Sequence, residues 1–132
     1  AVELKAAIIA QLEAAGHEAH NFGTNSSDSV DYPDFGHPVA KEVLEGKADL
    51  GIVICGSGNG INMTVNKYAD IRSALAWNTE LASLALQHNN ANILALPARF
   101  VSKEEGLAIV EAFLSAEFEG GRHERRVAKI TP

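Results

Sequence analysis

The run Leu50-Gly51-Ile52-Val53-Ile54-Cys55 carries no charged side chain and is followed at once by Gly56-Ser57-Gly58-Asn59-Gly60. A short, continuously apolar segment closed by turn residues reads as a strand buried on both faces, as in parallel sheets. Parallel strands need crossover connections, so helices must alternate with them. The rest of the chain supplies them. Leu4, Ile8 and Leu12 recur at helical spacing after Val2, and Gly16 stops that helix. His17 to Phe22 has the length of a strand, and residues 23–29 form a polar loop ending near Tyr32-Pro33. Val39, Val43 and Leu44 mark a second helix closed by Gly46. Beyond the glycine turn the pattern predicts a helix through Asn62 to Lys67, a strand near Ser73 to Trp77, a helix over Thr79 to Asn89 and a strand over Ile93 to Leu96. Ser102-Lys103-Glu104-Glu105 has the form of a capping box, opening a helix striped by Leu107, Val110, Phe113 and Leu114. This alternation implies an α/β fold, a Rossmann-like doubly wound parallel sheet in a three-layer α/β/α sandwich, with its ligand crevice at the carboxyl ends of the strands. With 132 residues, 46% of them hydrophobic, one domain over 1–132 is expected.

Several function classes are disfavoured. No apolar stretch approaches the roughly 20 residues of a membrane-spanning helix, and no charged-then-apolar signal segment opens the sequence. The single cysteine has no partner for an internal disulfide, which suits a reducing compartment, and a cytoplasmic location is expected. A net charge of −6 argues against a nucleic-acid or anionic-membrane surface.

Cys55 ends the buried strand where alternate glycines let several backbone N–H groups converge on one anion, with a helix start behind them. Such a place could favour a thiolate and also hold charge developing on a substrate oxygen. The bland alternative is a small core residue, the commonest fate of a free cysteine. Nucleotide motifs fit poorly: the loop reads Gly-x-Gly-x-Gly and lacks the Gly-Lys-Ser/Thr ending of a P-loop. A cysteine phosphatase loop would place arginine where Ile61 stands. Arg122 and Arg126 are four apart and share a face if helical, which suits a phosphate clamp, although in isolation a solvated basic tail explains them as well. Arg99 could join that clamp or sit on the surface. His88 shares a stripe with Leu81 and Leu84, so in isolation it reads as a hydrogen-bonded histidine at a core or interface edge, with proton shuttling as its functional alternative. Tyr32 is a turn-packing aromatic or a platform for a sugar ring.

Cys55-Gly56-Ser57-Gly58-Asn59-Gly60-Ile61-Asn62, Asn66-Lys67, Ile71-Arg72 and Ala74 together resemble the type B ribose-5-phosphate isomerase family, which includes galactose-6-phosphate isomerase subunits. The likeness extends to Gly23-Thr24, Asp28-Ser29-Val30-Asp31-Tyr32-Pro33, His88-Asn89-Asn90-Ala91-Asn92, Arg99 and Gly120-Gly121-Arg122-His123 with Arg126. The resemblance implies that Cys55 moves a proton between C1 and C2 through an enediolate. Ser57 stands beside that base, and the amides from Gly56 through Gly58 and Asn59 to Gly60 hold the oxyanion. It further implies ring opening by His88, sugar contacts from Asn89 and Tyr32, and phosphate binding by Arg99, Arg122 and Arg126. It implies no metal and no organic cofactor. The assembly expected is a homodimer or dimer of dimers with sites between subunits, His88 and Arg99 coming from the partner chain. Members of the family open with a strand and an Asp-His pair before the first helix, whereas this sequence starts at Ala1, inside that helix; an incomplete N-terminus is therefore expected.

The reaction expected is interconversion of ribose 5-phosphate and ribulose 5-phosphate. The nearest alternatives are the same chemistry on galactose 6-phosphate or allose 6-phosphate, a sugar-phosphate-binding protein without catalysis, and a cysteine-nucleophile hydrolase.

Overall fold

The computed structural model describes residues 2–23 and 30–132. Its elements in chain order are α1 (Val2–Ala14), α2 (Pro33–Leu44), β1 (Gly51–Cys55), α3 (Asn59–Val65), β2 (Ser73–Leu75), α4 (Thr79–Asn89), β3 (Ile93–Pro97), α5 (Lys103–Ser115) and α6 (Arg122–Ala128). The strands are parallel in the order β1-β3-β2, with Gly51 opposite Ile93, Cys55 opposite Pro97 and Ser73 opposite Ile93. β3 is buried along its whole length because it is the middle strand and helices cover both its faces. Its side chains alternate between two cores. Leu94 and Leu96 enter one with Leu4 and Ile8 of α1, Ala82 and Ala85 of α4, and Ile109, Val110 and Phe113 of α5. Ile93 and Ala95 enter the other with Ala40 of α2, Val53 of β1, and Ile61 and Val65 of α3. This is the expected parallel sheet with helices on both sides. No helix among the described residues is long and apolar enough to cross a membrane.

The segment His17 to Phe22 corrects one expectation: it belongs to no strand. A strand exists only by pairing, and the backbone here has no ladder partner among the described residues. The segment and β1 instead line one cavity of about 970 Å³, together with α1 and α2. Among the described residues β1 accordingly pairs with β3 alone. The polar loop at 24–29, with Thr24, Asp28 and Ser29, lies outside the described residues.

The capping box forms as its sequence requires: Ser102 Oγ accepts from Glu105 N at 3.0 Å, and Glu105 Oε1 accepts from Ser102 N at 2.8 Å. The second bond holds the Glu105 carboxyl below the usual carboxylate range, with help from the Ser102 side chain. Ser102→Ala is expected to lower the unfolding free energy by about 1 kcal/mol in urea titrations. Because folded Glu105 binds its proton less tightly than unfolded Glu105, the box contributes fully above the ordinary carboxylate range. That contribution fades as pH falls through the folded value. An equal loss at neutral pH and at about pH 3 would remove Glu105 from the cap.

Candidate active site

β1 and β3 run parallel and in register, so their carboxyl ends deliver two loops to the same place. Ala98 N donates to Cys55 O at 3.0 Å, and Arg99 N donates to Gly56 O at 3.0 Å, carrying the pairing past the strand ends. Arg99 is thereby drawn against the glycine loop of its own chain: a Cβ on Gly56 would lie 3.0 Å from Arg99 Nε. Within one chain Arg99, Cys55, Gly56, Ser57, Gly60 and Tyr32 all line the cavity beside β1.

Cys55 is half-buried and forms no disulfide. Past it, the amides of Gly56, Ser57 and Gly58 donate to no backbone carbonyl among the described residues, while Asn59 N donates to Ser57 Oγ at 3.3 Å. Gly58 takes φ +78 and caps α3. That left-handed backbone suits glycine, and a Cβ there would come within 2.4 Å of Leu75 Cδ1 and 3.2 Å of the β3 backbone. α3 is only seven residues long, so the loop amides outweigh its dipole as a source of positive potential. The helix starts at Asn59, earlier than Asn62. Tyr32 lies across Gly60, where a Cβ would meet the ring at 2.4 Å, and the ring is 42% exposed. The arrangement offers a thiol, amides without a backbone acceptor among the described residues, a cation and an aromatic face on one wall.

The remaining candidates gather elsewhere. His88 and Asn89 end α4, and Arg122 and Arg126 lie on α6, helical as their spacing anticipated; none of the four lines the Cys55 cavity. Both arginines are exposed. His88 stacks on His123 with ring centroids 4.2 Å apart and planes 10° apart. Glu119 Oε1 lies 3.6 Å from His88 Nε2 and 3.5 Å from His123 Nε2. Burial, then the neighbouring His88 and Arg122, push the His123 pKa down, which Glu119 partly opposes. His88, Glu119 and His123 are donor types found at zinc sites, and their ligand atoms lie within 4.8 Å of one another. Rings stacked almost parallel aim their lone pairs side by side rather than at one point, so a metal ion would require one ring to turn.

Comparison with known proteins decides the family. The family model for ribose/galactose isomerase matches residues 1–130. The chain belongs to that family. It is 44% identical over 128 residues to ribose-5-phosphate isomerase B of Escherichia coli, covering 97% of this chain and 86% of the relative. It is 43% identical over 130 residues to a probable ribose-5-phosphate isomerase B of Mycoplasma pneumoniae, covering 98% and 86%. The structure of the Clostridium thermocellum ribose-5-phosphate isomerase B superposes with a TM-score of 0.95 at 49% identity, covering 97% of this chain and 86% of that one. The Mycoplasma genitalium enzyme, solved with bound ribulose-5-phosphate, superposes with a TM-score of 0.93 at 45% identity, covering 97% and 86%. Within this isomerase family fold, sequence reasoning left Glu119 without a role and gave His123 none beyond its motif. Their signal was an acid and a histidine four apart across Gly120-Gly121.

Proposed function

We propose that the protein interconverts ribose 5-phosphate and ribulose 5-phosphate, with Cys55 as the base. The observation that carries this reading is the placement of a half-buried thiol at the end of β1 beside the amides of Gly56, Ser57 and Gly58, which have no backbone acceptor among the described residues. Proton abstraction next to a carbonyl needs a base and a group that receives the developing oxyanion, and this loop offers both within adjacent residues. Ser57, Asn59 and Gly60 complete the loop around the enediolate, and Tyr32 packs on the sugar. Neither a metal nor an organic cofactor is required by this chemistry.

The site is completed by a second copy of the chain. His88, Asn89, Arg122 and Arg126 lie outside the Cys55 cavity of their own chain, so they act in the site of a partner. Trp77 and Phe100, 54% and 73% exposed next to the strand ends, are apolar surface that a homodimer would cover. His88 opens the furanose ring, Asn89 holds a sugar hydroxyl, and Arg122 and Arg126 grip the phosphate with Arg99.

Proton exchange at C2 of ribose 5-phosphate in deuterated water, followed by NMR, tests the reading. Exchange with formation of ribulose 5-phosphate is expected, faster than with allose 6-phosphate run alongside. Binding of both sugars without exchange would leave a sugar-phosphate-binding protein instead. Arg126→Ala is expected to raise KM by roughly tenfold or more with little effect on kcat, since a charge-assisted hydrogen bond contributes about 1.5 to 3 kcal/mol. An unchanged KM removes Arg126 from the clamp.

A further inference from the structure

We propose that Glu119 is a positioning residue for ring opening: its carboxylate, bridging the Nε2 edges of two stacked imidazoles, fixes the His88 ring against His123 and aims it at the sugar. The inference rests on the isomerase reading and goes beyond it, because it assigns work to a residue outside the thiol site and the phosphate clamp.

The backbone holds Glu119 in place from both sides. Its N–H donates to Gln87 O at 2.9 Å, tying the connection between α5 and α6 to the last turn of α4, one residue before His88. Immediately afterwards Gly120 and Gly121 take φ +67 and +56, which reverses the chain into α6. His123 then returns, its N–H donating to Gly120 O at 3.1 Å, with its ring against His88. Three segments thus bring two rings and one carboxylate together. The contacts of 3.5 and 3.6 Å are slightly longer than hydrogen bonds, and a small rotation of Glu119 tightens either.

The exposures divide the labour. The His123 side chain is 11% exposed and Glu119 51%, while His88 is 37% exposed and remains open to a substrate. His123 is walled in, and a positive charge there is disfavoured by burial and by His88, Arg122 and Arg126. It serves as a flat backing for the His88 ring. Glu119 pins the edge of the ring that would otherwise turn.

Ring opening needs such control. The proton of the anomeric hydroxyl is removed and a proton is delivered to the ring oxygen as the bond from that oxygen to C1 breaks, leaving an aldehyde at C1 and a hydroxyl at C4. One imidazole that both takes and gives a proton must be held at a fixed angle to both oxygens.

The two directions of the reaction separate this role from a structural one, because ribose 5-phosphate is cyclic and ribulose 5-phosphate is open-chain. In Glu119→Gln, which keeps the shape and removes the charge, kcat for ribose 5-phosphate is expected to fall about tenfold or more. Proton exchange at C1 of ribulose 5-phosphate should stay within about twofold of wild type. Equal losses in the two assays, or no loss in either, would overturn the proposal. Ring-nitrogen NMR of the unliganded protein reads the contact without turnover: Glu119→Gln is expected to shift both the His88 and His123 resonances, and unchanged spectra would overturn it. A wild-type protein that exchanges neither sugar sinks the isomerase reading and the ring-opening role with it, whereas the spectra still decide the Glu119 contact.

Discussion

Cys55→Ser is expected to lower kcat for ribose 5-phosphate by about 10²- to 10⁴-fold, the range that a general base contributes. The substitution exchanges sulfur for oxygen and little else. Thiols ionise within a few units of neutrality and aliphatic hydroxyls do not, so the variant retains the shape of the site and loses its base. Cys55 is half-buried beside the core formed by Val53, Ile61 and Ile93, and serine fits the same space without a new void. Stability and phosphate affinity should therefore change little, since the arginines that bind phosphate do not depend on the thiol. Steady-state kinetics, a melting curve and phosphate titration on one preparation separate these effects. Turnover within tenfold of wild type would show that another group takes the proton. Loss of phosphate affinity in parallel with turnover would instead point to a collapsed loop.

What the sequence disclosed follows from where each signal is local. The bounds of α4 were legible because Asn78 and Asn90 end it: Asn78 Oδ1 accepts from Leu81 N at 2.9 Å, and Asn90 takes φ +49 in the left-handed region. The capping box at Ser102 was legible for the same reason. β1 and β3 announced themselves through unbroken apolar runs. His17 to Phe22 misled because strand formation depends on a pairing partner that the segment itself does not encode. Asn59 and Gly60, poor helix formers, concealed the true start of α3, which Gly58 makes possible by its positive φ.

The site divided along the same line. Cys55 and its glycines were readable together because one loop carries them. Arg99 sits beside Gly56 of its own chain since β3, not β2, is the neighbour of β1, which its place in the sequence alone does not tell. That order is a long-range property: the apolar patterns of β2 and β3 do not say which strand takes the middle. The grouping of Glu119 with His88 depends likewise on the hydrogen bond from the α5–α6 connection to α4, between residues 32 apart in sequence.

Gly58→Ala should be nearly as damaging to turnover as loss of the thiol, and for a mechanical reason. Its φ of +78 strains any residue bearing a Cβ, at a cost of about 1 to 3 kcal/mol. The added methyl would also lie 2.4 Å from Leu75 Cδ1 and 3.2 Å from the backbone at Leu96 and Pro97. Leu75 can turn aside, but the central strand cannot, so the loop itself must shift. Such a shift moves the amides of Gly56 and Ser57 away from the substrate oxygen, and loss of an oxyanion donor is expected to lower kcat about 10²- to 10³-fold. Gly60→Ala provides the contrast. There the methyl meets the Tyr32 ring at 2.4 Å, and that ring, 42% exposed, can swing into solvent while the loop stays in place. Gly60→Ala should consequently act mainly on KM, through the lost sugar contact, and retain most of kcat. Melting curves establish that both variants are folded at the assay temperature before rates are compared. A folded Gly58→Ala protein with kcat near wild type would mean that the developing charge is held elsewhere than in this loop, even if Cys55 remains the base.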